Sequence, residues 1–124
     1  MRVVPKPWGH EKRVFMDDLN DAWLMHFAKE GDASSLHRHP NKRKVLIVLR
    51  GSAWLQRGSH WYGPMKQYET QVVERGVLHR QRAAEPFTEI LEIESPPNKI
   101  DIERFSDQYG RVGQPYEDAD ANSK

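Results

Sequence analysis

Two histidines separated by one residue, His37 and His39, stand just ahead of the apolar run VLIVL at residues 45–49. In an extended strand side chains alternate faces, so the two imidazoles point the same way. Pro40-Asn41 marks a turn, and the apolar strand that follows ends at Gly51. Paired imidazoles, a turn and an apolar strand make half of a metal site in a β-barrel. Lys44, between the histidines and the apolar run, is the residue on which completion of that site turns. Asn41-Lys42-Arg43-Lys44 is a basic run that reads either as a solvated turn or, beside a pocket mouth, as an attractor of phosphate or carboxylate.

The rest of the composition narrows what such a site can be. The chain has 124 residues, enough for one domain with one core. A net charge of +1 gives no electrostatic reason to expect nucleic acid or an anionic membrane as partner. There is no cysteine, so disulfides and thiolate metal sites are excluded, and a transition-metal site must use imidazole and carboxylate. No apolar run approaches the ~20 residues that span a bilayer. The basic N-terminus lacks an apolar signal core, which predicts a cytoplasmic protein.

Short alternating runs separated by Gly and Pro predict an all-β sandwich or barrel. Residues 3–12 read as an extended arm anchored by Trp8. Residues 23–28 read as a strand with Trp23, Met25 and Phe27 on one face. Leu24, His26 and Ala28 take the other, which makes His26 the best cavity candidate beyond the motif; His10 and His60 read as ordinary. Further strands are expected at residues 52–56, 60–62, 70–73, 77–80 and 87–94, with a turn at Gly63-Pro64. Residues 100–109 have room for one or two helical turns. Trp23, Trp54, Trp61 and Tyr62 read as core or subunit contacts. The run at 45–49 is apolar on both faces and needs more cover than one small barrel supplies, which predicts a homodimer.

These residues also resemble a known family. Gly31, His37, His39, position 44 and Gly51 fall at the spacing of the first cupin motif, G-x5-H-x-H-x4-E-x6-G. Glu74-Arg75-Gly76-Val77-Leu78-His79 falls on the second, which contains P-x-G-x2-H. Lys6-Pro7-Trp8-Gly9 and residues 101–111 (DIERFSDQYGR) resemble the flanks of the cupin domain in type II phosphomannose isomerases. The resemblance implies a double-stranded β-helix, a jelly-roll-like barrel over residues 1–112; the polar, acidic composition of the tail at 113–124 predicts disorder. It implies a zinc, iron, manganese or nickel ion held by His37, His39 and His79, and no organic cofactor. It further implies isomerase chemistry, a metal-assisted proton transfer that interconverts an aldose and a ketose phosphate.

Two positions depart from the pattern. Glu74 replaces the motif proline, a mild change beside Gly76. Lys44 replaces the motif glutamate, and an ammonium about 5 Å from a divalent ion is repelled by roughly 6–7 kcal/mol at an effective dielectric near 20. Lys44 therefore swings outward, loses its proton to become a general base, or marks a pocket that holds an anionic ligand without metal. Lys44, His26 and Arg43 are the candidate substrate contacts. Glu69 and Glu74 are the candidates for a replacement carboxylate. Three functions follow: a sugar-phosphate isomerase, a metal-free binding module for an anionic small molecule, or a three-histidine iron dioxygenase.

Overall fold

The computed structural model describes residues 2–97 and 102–106. All regular structure among them is β-strand: β1 (Val3–Lys6), β2 (Gly9–Met16), β3 (Asp21–Phe27), β4 (Leu36–Arg38), β5 (Arg43–Arg50) and β6 (Ala53–Arg57). These are followed by β7 (His60–Met65), β8 (Thr70–Val73), β9 (His79–Ala83), β10 (Thr88–Ser95) and β11 (Glu103–Ser106). Two antiparallel sheets result, one ordered β1-β2-β3-β10-β5-β8 and the other β11-β4-β9-β6-β7. No helix among the described residues is long and apolar enough to cross a membrane.

Alternation builds the core. Met25 and Phe27 from β3, Leu46 and Val48 from β5, and Ile90 from β10 point inward from the larger sheet. Ala53, Leu55, Met65 and Ala83 meet them from the smaller one. Each large side chain buried here stabilises the fold by about 1.5–3 kcal/mol. The expected N-terminal arm is a β1–β2 hairpin, and Trp8 at its turn stacks on Phe27 with ring centroids 4.3 Å apart. The turn before β3 closes on Asp17, whose Oδ1 accepts hydrogen bonds from the backbone N–H groups of Leu19 and Asn20.

Three local expectations are corrected. Residues 103–106 form a strand beside β4 instead of helical turns, because Arg104 alternates inward and continues the smaller sheet. Gly63-Pro64 lies within the edge strand β7, where a proline has no ladder bond to break. The strand expected at 77–80 starts at His79, since the Gly76 N–H is spent on the His39 carbonyl and the Val77 N–H on a turn bond to the Glu74 carbonyl. The boundary at 112 and the tail at 113–124 lie outside the described residues.

The larger sheet has two unlike ends. Toward the end of β5 the inward residues are Leu46 and Val48. At its start the inward residue is Lys44, opposite Glu94 on β10, with Glu92 opposite Leu46. Charge is thus turned into the barrel at one end only, and the histidines lie there.

Candidate metal centre

His37 on β4 and His79 on β9 are direct cross-strand partners, which brings their ring centroids to 4.3 Å. His39 follows in the same alternation, 4.7 Å from His37 and 5.4 Å from His79. All three are buried, and their ligating nitrogens lie within 4.8 Å of one another. Nitrogens about 2 Å from a tetrahedral ion stand roughly 3.3 Å apart, so the trio needs only a small contraction to close on a metal.

Hydrogen bonds set which nitrogen is offered. His37 Nδ1 is 2.6 Å from the Ser35 carbonyl, and His79 Nδ1 is 2.9 Å from the Val77 carbonyl. A carbonyl only accepts, so each Nδ1 carries the proton and each Nε2 keeps its lone pair for a ligand. The His37 and His39 pKa values are both held well below the ordinary value, chiefly by burial. Next come the charge of His79 for His37 and that of Lys44 for His39. Neutral imidazoles at neutral pH are the form that binds metal. The donor set therefore fits a divalent transition ion with positions left open.

Lys44 does not swing outward. It is buried, and its ammonium bonds Glu92 Oε2 at 2.6 Å. Lys42 repeats the arrangement one step along, 2.9 Å from Glu94 Oε2 with both side chains fully buried. The two pairs form a ladder across β5 and β10 beside the histidines. Glu92 answers the cation at the motif position. The carboxylates considered from sequence lie elsewhere: Glu74 is exposed and bonds Arg43, while Glu69 accepts from the Lys66 backbone.

A cavity of about 20 Å³ adjoins His37, walled by Lys44, Glu92, Gln81, Arg104 and a third buried pair, Lys6–Glu11 at 3.0 Å. Ser34 and Gln81 hydrogen-bond each other at 2.8 Å within that wall. That volume holds a water or two. Two candidate substrate residues are absent from it. His26 faces the opposite side of β3 from Met25 and Phe27, where it bonds Glu89 at 3.1 Å and stacks on His10. Alternation grouped His26 with Leu24 correctly but could not say which face was inside. Arg43 is exposed on the outer face of β5. Glu92 and Glu94 are signalled in the sequence only by a spacing that matches Lys42/Lys44, and nothing in the spacing marks Lys6, Glu11 or Arg104 as cavity residues.

No family model and no curated protein matches the sequence. Solved structures do match. KdgF from Halomonas sp. superposes with a TM-score of 0.70 at 18% identity, over 75% of this chain and 84% of that one. An RmlC-like cupin from Shewanella frigidimarina gives 0.70 at 14%, over 79% and 86%. A cupin-superfamily sugar phosphate isomerase from Silicibacter pomeroyi gives 0.65 at 14%, over 77% and 64%. With two facing antiparallel sheets and a histidine trio between them, the chain has the cupin fold, a double-stranded β-helix.

Proposed function

We propose that this chain is a metal-dependent cupin of the cytoplasm acting on a sugar phosphate or related small polar metabolite, and that its reaction is aldose–ketose isomerisation of the phosphomannose isomerase kind. The observation that carries this reading is the placement of the buried Lys44–Glu92 pair in the same cavity wall as His37. A divalent ion held by His37, His39 and His79 supplies Lewis acidity toward a carbonyl. The chain supplies the proton carrier: Glu92 accepts a proton from a carbon beside the carbonyl, and Lys44 stabilises the carboxylate between transfers. Lys6 and Arg104 in the cavity wall are cations suited to the anionic end of such a ligand.

Protein purified without a polyhistidine tag and loaded with zinc, iron, manganese or nickel is expected to hold close to one ion per chain by elemental analysis. His79→Ala should lose it. Occupancy below a few per cent with every metal would overturn the reading. Loaded protein should then interconvert mannose 6-phosphate and fructose 6-phosphate by NMR, and Glu92→Gln should abolish this. A second reading, a metal-free pocket for an anionic small molecule, is favoured by the clustering of Lys6, Lys44 and Arg104 on one cavity. It predicts anion binding that is unaffected by a chelator.

A further inference from the structure

The inward residues of β9 are His79, Gln81 and Ala83. His79 belongs to the histidine trio and Ala83 to the hydrocarbon core, so Gln81 stands at the boundary between them. Alternation places its α-carbon about 7 Å along the strand from that of His79, on the same face. Gln81 is 1% exposed and lines the cavity beside His37.

Hydrogen bonds fix which end of its amide meets that cavity. Ser34 Oγ accepts the Gln81 backbone N–H at 3.1 Å and gives its one hydrogen to the Gln81 amide oxygen at 2.8 Å. The Ser35 carbonyl, 3.4 Å from Ser34 Oγ, is the poorer acceptor for that hydrogen. The amide oxygen is thereby held toward Ser34, and Nε2 keeps two N–H groups. Nε2 is buried and has no hydrogen-bond acceptor among the described residues. The carboxylates of the wall face other donors: Glu92 accepts from Lys44, and Glu11 pairs Lys6. A buried donor without an acceptor opposes folding, and a hydrocarbon side chain at this position would avoid that cost.

We propose that Gln81 Nε2 donates to a ligand oxygen on the carbon next to the one whose oxygen meets the histidine trio. Gln81 then selects ligands that carry oxygens on adjacent carbons. This deepens the function proposed above and rests on it for the ion. The chemistry of the donor argues for that oxygen. An amide nitrogen only donates and carries no charge, so it matches a hydroxyl or carbonyl oxygen. The anionic end of the ligand has Lys6 and Arg104 instead. The same cavity holds Glu92, so a bond to Gln81 keeps the carbon that bears this oxygen, and the hydrogen on it, in the space that Glu92 lines. A site with a buried donor rejects the analogue lacking the acceptor more strongly than an apolar pocket does, because the donor is then left unpaired.

The test is a ratio of two dissociation constants, measured by calorimetry on the full chain. Glycolate has oxygens on both of its carbons, and acetate lacks the second. Zinc-loaded wild type should prefer glycolate by about tenfold or more. In Gln81→Met that preference should fall about tenfold, the worth of one good buried hydrogen bond, with zinc stoichiometry and circular dichroism unchanged. Ser34→Ala releases the amide oxygen and should lower the preference in the same direction; it keeps the test decisive if the methionine variant does not fold. The same titrations on chelator-treated protein separate this proposal from the metal. A chain that holds no zinc, yet loses its glycolate preference in Gln81→Met, sinks the metal reading and keeps the donor. A preference equal in wild type and both variants overturns the proposal and leaves a buried water as the partner of the amide. So does a wild type that binds glycolate no more tightly than acetate, or binds neither, loaded or stripped.

Discussion

At the scale of single residues, the proposed chemistry depends on a cation standing where the resemblance to cupins calls for a carboxylate. Lys44 is buried and neutralised by Glu92 at 2.6 Å. Removing one partner of a buried pair costs about 3–5 kcal/mol, because the other charge is stranded. Glu92→Gln should therefore lower stability by about that amount in a denaturant titration. It should also weaken metal binding at least tenfold, since the ammonium is no longer offset beside the ion. Lys44→Glu should separate the two effects: the metal-free protein loses stability through carboxylate repulsion, while metal affinity rises. Equal affinity in both variants would mean that the pair does not influence the trio. The histidines carry a pH dependence of definite sign. His37 and His39 have folded pKa values well below the ordinary 6.5, so below about pH 6.5 the unfolded chain binds protons that the folded chain refuses. Stability of the metal-free protein should be full above pH 6.5 and fall as pH is lowered toward the folded pKa values. His39→Gln should flatten that slope.

At the scale of elements, the trio is brought together by register. His37 and His79 are adjacent because β4 and β9 pair at that one position. Gly51 sets the exit of β5: its φ is +75°, and an added Cβ would lie 2.5 Å from Thr88 Oγ1 and 3.0 Å from the Thr88 α-carbon. Gly51→Ala should destabilise by about 1–3 kcal/mol, from the left-handed backbone and the crowding against Thr88 together. Thr88→Ser, which keeps the bond to the Ser52 carbonyl, should not recover it, because the backbone conformation and the crowding against the main chain of residue 88 persist. Motif spacing made the three histidines legible because alternation and a fixed turn are local properties. It could not reveal Glu92. That residue lies forty-eight positions from Lys44, and the pairing of β5 with β10 is fixed by the whole topology. The placement of His26 toward the cavity fails for a related reason, since periodicity separates two faces without naming the buried one. The alternating run at 87–94 reads as a strand, yet two of its three glutamates, Glu92 and Glu94, face inward against the usual expectation.

At the scale of the whole molecule, the barrel divides its labour between ends: hydrocarbon holds the sheets together at one, and ion pairs surround the histidines at the other. The same division shapes the unfolded chain. Five consecutive strand-forming residues at 45–49 are bracketed by Lys42, Arg43 and Lys44 before them and Arg50 after them. Charges flanking such a segment keep it from stacking with copies of itself while it is exposed. Lys44 thus serves as a gatekeeper before folding and as a wall of the cavity afterwards. Lys44→Met would extend the apolar run by one residue and remove its nearest guard. On rapid dilution from denaturant it should scatter more light and return a smaller soluble fraction than Arg43→Met, whose side chain ends on the surface. A cation buried in the folded state is then also kept for what it prevents on the way there.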